Sequence, residues 1–109
     1  MSEIDLMQDL KALDGSKSIT DGLEGTAVTL RSVCTAALLA PEQREISEKE
    51  KVERFWLASR IQNTAKMEFK AEDTVLLKKV VGRVCGPLLV GRVFEIIDPA
   101  SMPQNGDGG

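Results

Sequence analysis

The chain contains no histidine and no tyrosine, and only two of its 109 residues are cysteine. Without histidine there is no imidazole to act as general base, proton shuttle or metal ligand near neutral pH. Two cysteines fall short of the four Cys/His ligands that a structural zinc site takes. Long apolar runs are missing too. The densest stretches, residues 36–40 and 84–90, are far shorter than the roughly 20 residues a helix needs to span a bilayer. No G-x-x-x-x-G-K-[ST] loop occurs, and no G-x-G-x-x-G follows a strand. The glycines at 82, 86 and 91 fit helix packing and a helix-to-helix turn better than a phosphate cradle. Acids are plentiful, but no pair of them is singled out for acid–base work. These absences lead us to expect no enzyme, no cofactor and no metal site.

Cys34 and Cys85 lie in apolar surroundings and read as buried free thiols behaving like small hydrophobes, with a disulfide or a reactive thiol as alternatives. The opening Met1-Ser2-Glu3-Ile4-Asp5 is acidic and no apolar h-region follows, so a cytoplasmic location is expected and no membrane.

What is present is one domain's worth of chain, able to bury about 65% of the surface its unfolded form exposes. It is 42% hydrophobic and 28% charged, with a net charge of −3. That total conceals −5 over residues 1–48, +4 over 49–97 and −2 beyond. Such asymmetry fits either a partner surface or two halves that attract one another.

The first 28 residues are rich in turns: Asp14-Gly15, Asp21-Gly22 and Gly25. A hairpin from about Leu10 to Thr20 is one reading, because Asp-Gly supplies the positive φ of a tight turn. From Thr29, an N-cap, the residues Leu30, Val33, Cys34, Ala37 and Leu38 recur at helical spacing until Pro41. Ser47 and Glu50 read as a capping box opening a helix to about Asn63. Val52, Phe55, Trp56 and Ile61 are its expected inner stripe, and Arg54 is expected on the charged outer face. Residues 65–70 read as an extended connector with Met67 and Phe69 inward. A helix over 71–85 is expected to bury Val75, Leu76, Val80, Val81 and Val84, with Gly82 in close packing. Gly86-Pro87 then starts a last helix, whose stripe is Leu89, Val90, Val93, Phe94 and Ile97, ended by Asp98-Pro99. The expected fold is therefore mainly α, with α+β as the alternative: a compact four-helix domain over 1–98. Within it, 1–28 is irregular or a small β-hairpin and 29–98 helical; residues 99–109 read as a disordered tail.

Two surfaces are candidates for function. Phe55, Trp56 and Leu57 are consecutive and cannot all face one core, so they form the candidate partner interface, for another protein or a second copy. Lys78, Lys79 and Arg83 form the candidate basic surface. Nucleic acid is not the expected partner, because the helix carrying those bases opens with Glu72-Asp73, which would repel phosphate.

The succession Leu13-Asp14-Gly15, Thr29-Leu30-Arg31-Ser32-Val33-Cys34, Ala37-Leu38-Leu39-Ala40, Glu50-Lys51-Val52-Glu53-Arg54, Leu57-Ala58-Ser59-Arg60-Ile61, Ala71-Glu72-Asp73 and Pro87-Leu88-Leu89-Val90-Gly91-Arg92-Val93 resembles a group of short proteins encoded by tailed bacteriophages and prophages. The resemblance covers about 5–98. It departs at Lys70, where a Ser or Thr cap is expected. It implies an origin rather than a mechanism, and no residue roles come with it. A phage origin implies action by protein–protein binding in the bacterial host cytoplasm. The leading role is a virion (tail or head–tail) assembly chaperone or accessory factor. The alternative is an inhibitor of a host protein or defence system, and the third a nucleic-acid-binding regulator.

Overall fold

A computed structural model describes residues 3–20 and 27–101. Four helices dominate: α1 (Leu30–Leu39), α2 (Glu48–Gln62), α3 (Ala71–Val84) and α4 (Pro87–Ile97). A two-stranded antiparallel sheet joins β1 (Ile4–Asp5) to β2 (Lys66–Met67), pairing Ile4 with Met67 and Asp5 with Lys66. The expected mainly α architecture is the observed one. The turns at Asp21-Gly22 and Gly25, and the tail from 102, lie outside the described residues. Pro99–Ser101 forms a 3-10 turn directly after α4.

Helix α1 starts where its cap dictates. The Thr29 hydroxyl accepts from the Ser32 amide at 3.1 Å, and Ser32 Oγ accepts from the Thr29 amide at 3.0 Å. Its buried residues are the five expected from spacing: Leu30, Val33, Cys34, Ala37 and Leu38. Two further amides at its start are satisfied by the segment that follows β1, Leu30 N–H by Gln8 O (3.0 Å) and Arg31 N–H by Leu6 O (2.8 Å).

The hairpin around Asp14-Gly15 is present. Gly15 takes φ +79°, Ala12 N–H donates to Lys17 O at 2.8 Å, and Ile19 N–H donates to Leu10 O at 2.7 Å. Residues 27–29 then close a ring. Val28 N–H donates to Ile19 O (2.7 Å), and Leu10 N–H donates to Val28 O (2.9 Å). Three extended segments thus satisfy each other's backbone groups at positions nine residues apart. One arginine ties this β-region to α4, and another ties α1 to the α2–β2 connection. Arg92 on α4 donates to Lys11 O (2.8 Å) and Leu13 O (3.1 Å), and Arg31 donates to Thr64 O.

Two inner faces differ from the expected ones. On α2 the buried residues are Arg54, Leu57, Ala58 and Ile61, while Val52, Phe55 and Trp56 are exposed. On α3 they are Asp73, Leu77, Val80 and Val81, with Val75 and Val84 exposed and Leu76 half-buried. Both observed stripes have helical three-and-four spacing. In each, one position is a charged residue whose charge is met by ion pairs, and that disguised the stripe. Gly82 is also not closely packed: an added Cβ would meet Phe94 Cζ at 3.9 Å, an ordinary contact. Helix α3 begins at Ala71 without a hydroxyl cap at Lys70. Asp73 Oδ2 instead accepts from the Lys70 amide at 3.1 Å.

The corrected α3 face makes a paired prediction. Val80→Asp places an unpaired carboxylate at a fully buried position and should abolish cooperative unfolding. Val75→Asp, at a position 67% exposed, should change stability by no more than about 0.5 kcal/mol. Denaturant titrations of the two variants decide between the faces.

Candidate functional site

Helix α2 is apolar on two opposite sides. At about 100° per residue, Leu57, Ala58 and Ile61 share one side with Arg54, and Val52, Phe55 and Trp56 share the other. The first side enters the core; the second faces solvent. Phe55 is 55% exposed and Trp56 59%, their rings in edge contact with centroids 5.4 Å apart. Leu57, grouped with them by sequence, is buried against the core and does not belong to this face. Leu39, at the end of α1, is exposed and lines grooves on both flanks of Phe55. One groove, about 490 Å³, is lined by Leu38, Pro41, Ile46 and Arg54 among others. The second, about 370 Å³ and more apolar, lies between Thr35, Ala58, Ser59 and Gln62.

An ion cluster holds α2 in this rotation. The Arg54 guanidinium is buried, with Nη1 2.6 Å from Glu42 Oε2 and Nε donating to Glu50 Oε2 at 3.0 Å. Glu50 Oε1 accepts from Lys79 on α3 at 2.8 Å, and Glu42 also faces Arg44 (3.5 Å) and Arg83 (3.9 Å). The cluster therefore joins the α1–α2 connection, α2 and α3. Ser47 caps α2 by accepting from the Glu50 amide at 3.1 Å. The expected return bond from the Glu50 side chain is replaced by its contacts to Arg54 and Lys79. Those two cations, Lys79 first, pull the Glu50 carboxyl down to about 2 from the ordinary 4.5. Arg54 lowers Glu42 in the same way. Burial works against the charge on Arg54, and Glu50 and Glu42 more than offset it, so its pKa lies above the ordinary arginine value. A parallel bridge joins α2 to α3: Arg60 Nη1 and Nη2 donate to the two Asp73 oxygens at 3.2 and 2.9 Å.

The candidate basic residues are committed within the chain. Lys78 Nζ lies 2.7 Å from Asp98 Oδ2 and 5.2 Å from the Phe94 ring centroid. Lys79 meets Glu50, and Arg83 approaches Glu42. The acids they face come from three parts of the chain, and only Glu42 belongs to the acidic first half. These three side chains do not form a free cationic patch.

Sequence reasoning missed Glu42, Glu50 and Arg54 as a cluster, and Leu39 and Val52 as members of the exposed apolar face. The signal was available in the spacing of Leu57, Ala58 and Ile61, which can share a face with position 54 but not with 55 and 56. Both cysteines are free thiols. Cys34 is buried, and desolvation, with Cys85 nearby, pushes its pKa up to about 12; burial also raises Cys85. Neither is an activated thiolate near neutral pH. Among the described residues, no group of three or more Cys, Asp or Glu side chains is placed to hold a metal ion, and no helix is long and apolar enough to cross a membrane.

A carboxyl whose pKa is depressed on folding stabilises the fold above its unfolded pKa and loses that contribution as pH falls through the folded one. The contribution of Glu50 is therefore complete above about pH 4.5 and disappears toward pH 2. Wild type should be more stable than Glu50→Gln at neutral pH, and urea unfolding should show the gap narrowing through that window. A gap that stays constant with pH would contradict the ion-pair assignment. No protein-family model, curated protein or solved structure matches this chain.

Proposed function

We propose that this protein acts by binding another protein through the face formed by Leu39, Val52, Phe55 and Trp56. The observation that carries the reading is the outward Phe55–Trp56 pair, on a helix whose other side already supplies the core. Aromatic side chains are over-represented among residues that dominate binding energy. Phe55 borders two grooves, and the smaller, more apolar one can receive a partner's apolar side chains. The in-chain pairing of Lys78, Lys79 and Arg83 speaks against a nucleic-acid partner, which would need those cations for its phosphates.

The resemblance to short phage-encoded proteins supplies the partner class. The partner is a virion component, and the protein serves as a tail or head–tail assembly chaperone or accessory factor in the host cytoplasm. The test compares proteins retained by the tagged chain from phage-producing and from uninfected cells. A virion protein should be retained by wild type. Its affinity should fall by about thirtyfold or more for the double variant Phe55→Asp, Trp56→Asp, the loss expected at a binding hot spot. Fold and thermal stability of that variant should be almost unchanged. Retention of a host protein from uninfected cells would replace the assembly role with host inhibition. Retention unaffected by the double variant would refute the face.

A further inference from the structure

The outer side of α2 carries a pattern that specifies an occupant. Lys49, Val52, Trp56 and Ser59 recur at spacings of three and four along α2, the spacing of a coiled-coil seam, with Val52 and Trp56 as its apolar members. One flank of that seam holds Glu53 and Arg60; the other holds Glu48, Phe55 and Gln62. Among the described residues, Lys49 and Glu53 have no ion-pair partner in the chain, whereas Arg54, Lys78, Lys79 and Arg83 all do.

In an antiparallel helix pair, like flanks face each other. With a two-fold axis crossing α2 at the level of Trp56 and Leu57, Glu53 of each copy stands beside Arg60 of the other. The charges are self-complementary in this arrangement. A parallel pairing would set Glu53 of one copy beside Glu48 of the other and Arg60 beside Phe55, and satisfy neither charge. The Arg60 side chain is 45% exposed and can receive a second carboxylate besides Asp73.

The area is also of the right size. Half-exposed Phe55 and Trp56 offer roughly 200 Å² of apolar surface, and with Leu39 and Val52 the total is on the order of 400 Å². Homodimer interfaces are about 65% apolar, so this corresponds to about 600 Å² per copy, the lower end of stable interfaces.

We infer that this face is occupied by a second copy of the same chain, in an antiparallel α2–α2 dimer with Trp56 at the seam. This rests on the protein-binding role proposed for the same face, and it makes the dimer and a heterologous partner mutually exclusive there. A partner then draws on a reserve of dimer whose apolar surface is covered.

Trp56 is the only tryptophan in the chain, so its fluorescence reports the seam directly. The experiment combines sedimentation velocity with Trp56 emission on the full chain, diluted from millimolar to low micromolar. The dimer should dissociate on dilution, with the emission moving to longer wavelength as Trp56 becomes exposed. Val52→Glu and Glu53→Arg, both at exposed positions, should each raise the dissociation constant at least about tenfold while the helix content stays unchanged. A chain that is monomeric throughout, with concentration-independent emission, overturns the dimer. So does a dimer that both variants leave intact, because another face then pairs. A monomer that still retains a partner through Phe55 and Trp56 overturns the dimer alone and leaves the binding role standing.

Discussion

The orientation of α2 depends on one buried guanidinium. Taking the Arg54 charge out of water costs several kcal/mol, and only close carboxylates make that tolerable. Glu42 reaches it from the α1–α2 connection and Glu50 from the preceding turn of its own helix. Lys79 then ties Glu50 to α3. Three separate parts of the chain are thereby held to one point. With Arg54 fixed inward, the helical repeat leaves Phe55 and Trp56 only the outside. The apolar face available to a partner follows from an electrostatic constraint on the opposite side of the same helix.

The same constraint explains which parts of the fold were legible in the sequence. Helix α1 has an all-apolar stripe and a complete capping box, so its start and its five buried residues could be read directly. The hairpin turn was legible at Asp14-Gly15 because only a residue tolerant of positive φ suits that position. The inner faces of α2 and α3 were not, because Arg54 and Asp73 occupy stripe positions that hydrophobicity assigns to solvent. Large side chains at 52, 55 and 56 then attracted the assignment instead. The ring through Leu10, Ile19 and Val28, and the reach of Arg92 to Lys11 and Leu13, had no local signal at all. They join segments through backbone carbonyls, which every residue carries.

For the candidate site the outcome was mixed for a physical reason. That Phe55, Trp56 and Leu57 could not share one environment follows from helix geometry alone, and Leu57 proves to be the inward one. The basic residues of α3 could be counted but not paired, since their acids lie 20 to 41 positions away in the chain. A surface that looks cationic in sequence is largely neutralised once Glu42, Glu50 and Asp98 arrive. Leu39, Val52, Phe55 and Trp56 remain as an exposed apolar face, on which the proposed protein-binding role rests.

Equilibrium unfolding of Arg54→Met tests this account most directly, because methionine keeps the aliphatic length and removes the charge. If Arg54 is the buried centre of the cluster, the variant leaves Glu42 without its main partner and Glu50 with Lys79 alone, and should lose about 3 kcal/mol or more. A loss below about 0.5 kcal/mol, the level of a solvated surface position, would place Arg54 on the outside of α2 and contradict the orientation on which the proposed binding face depends.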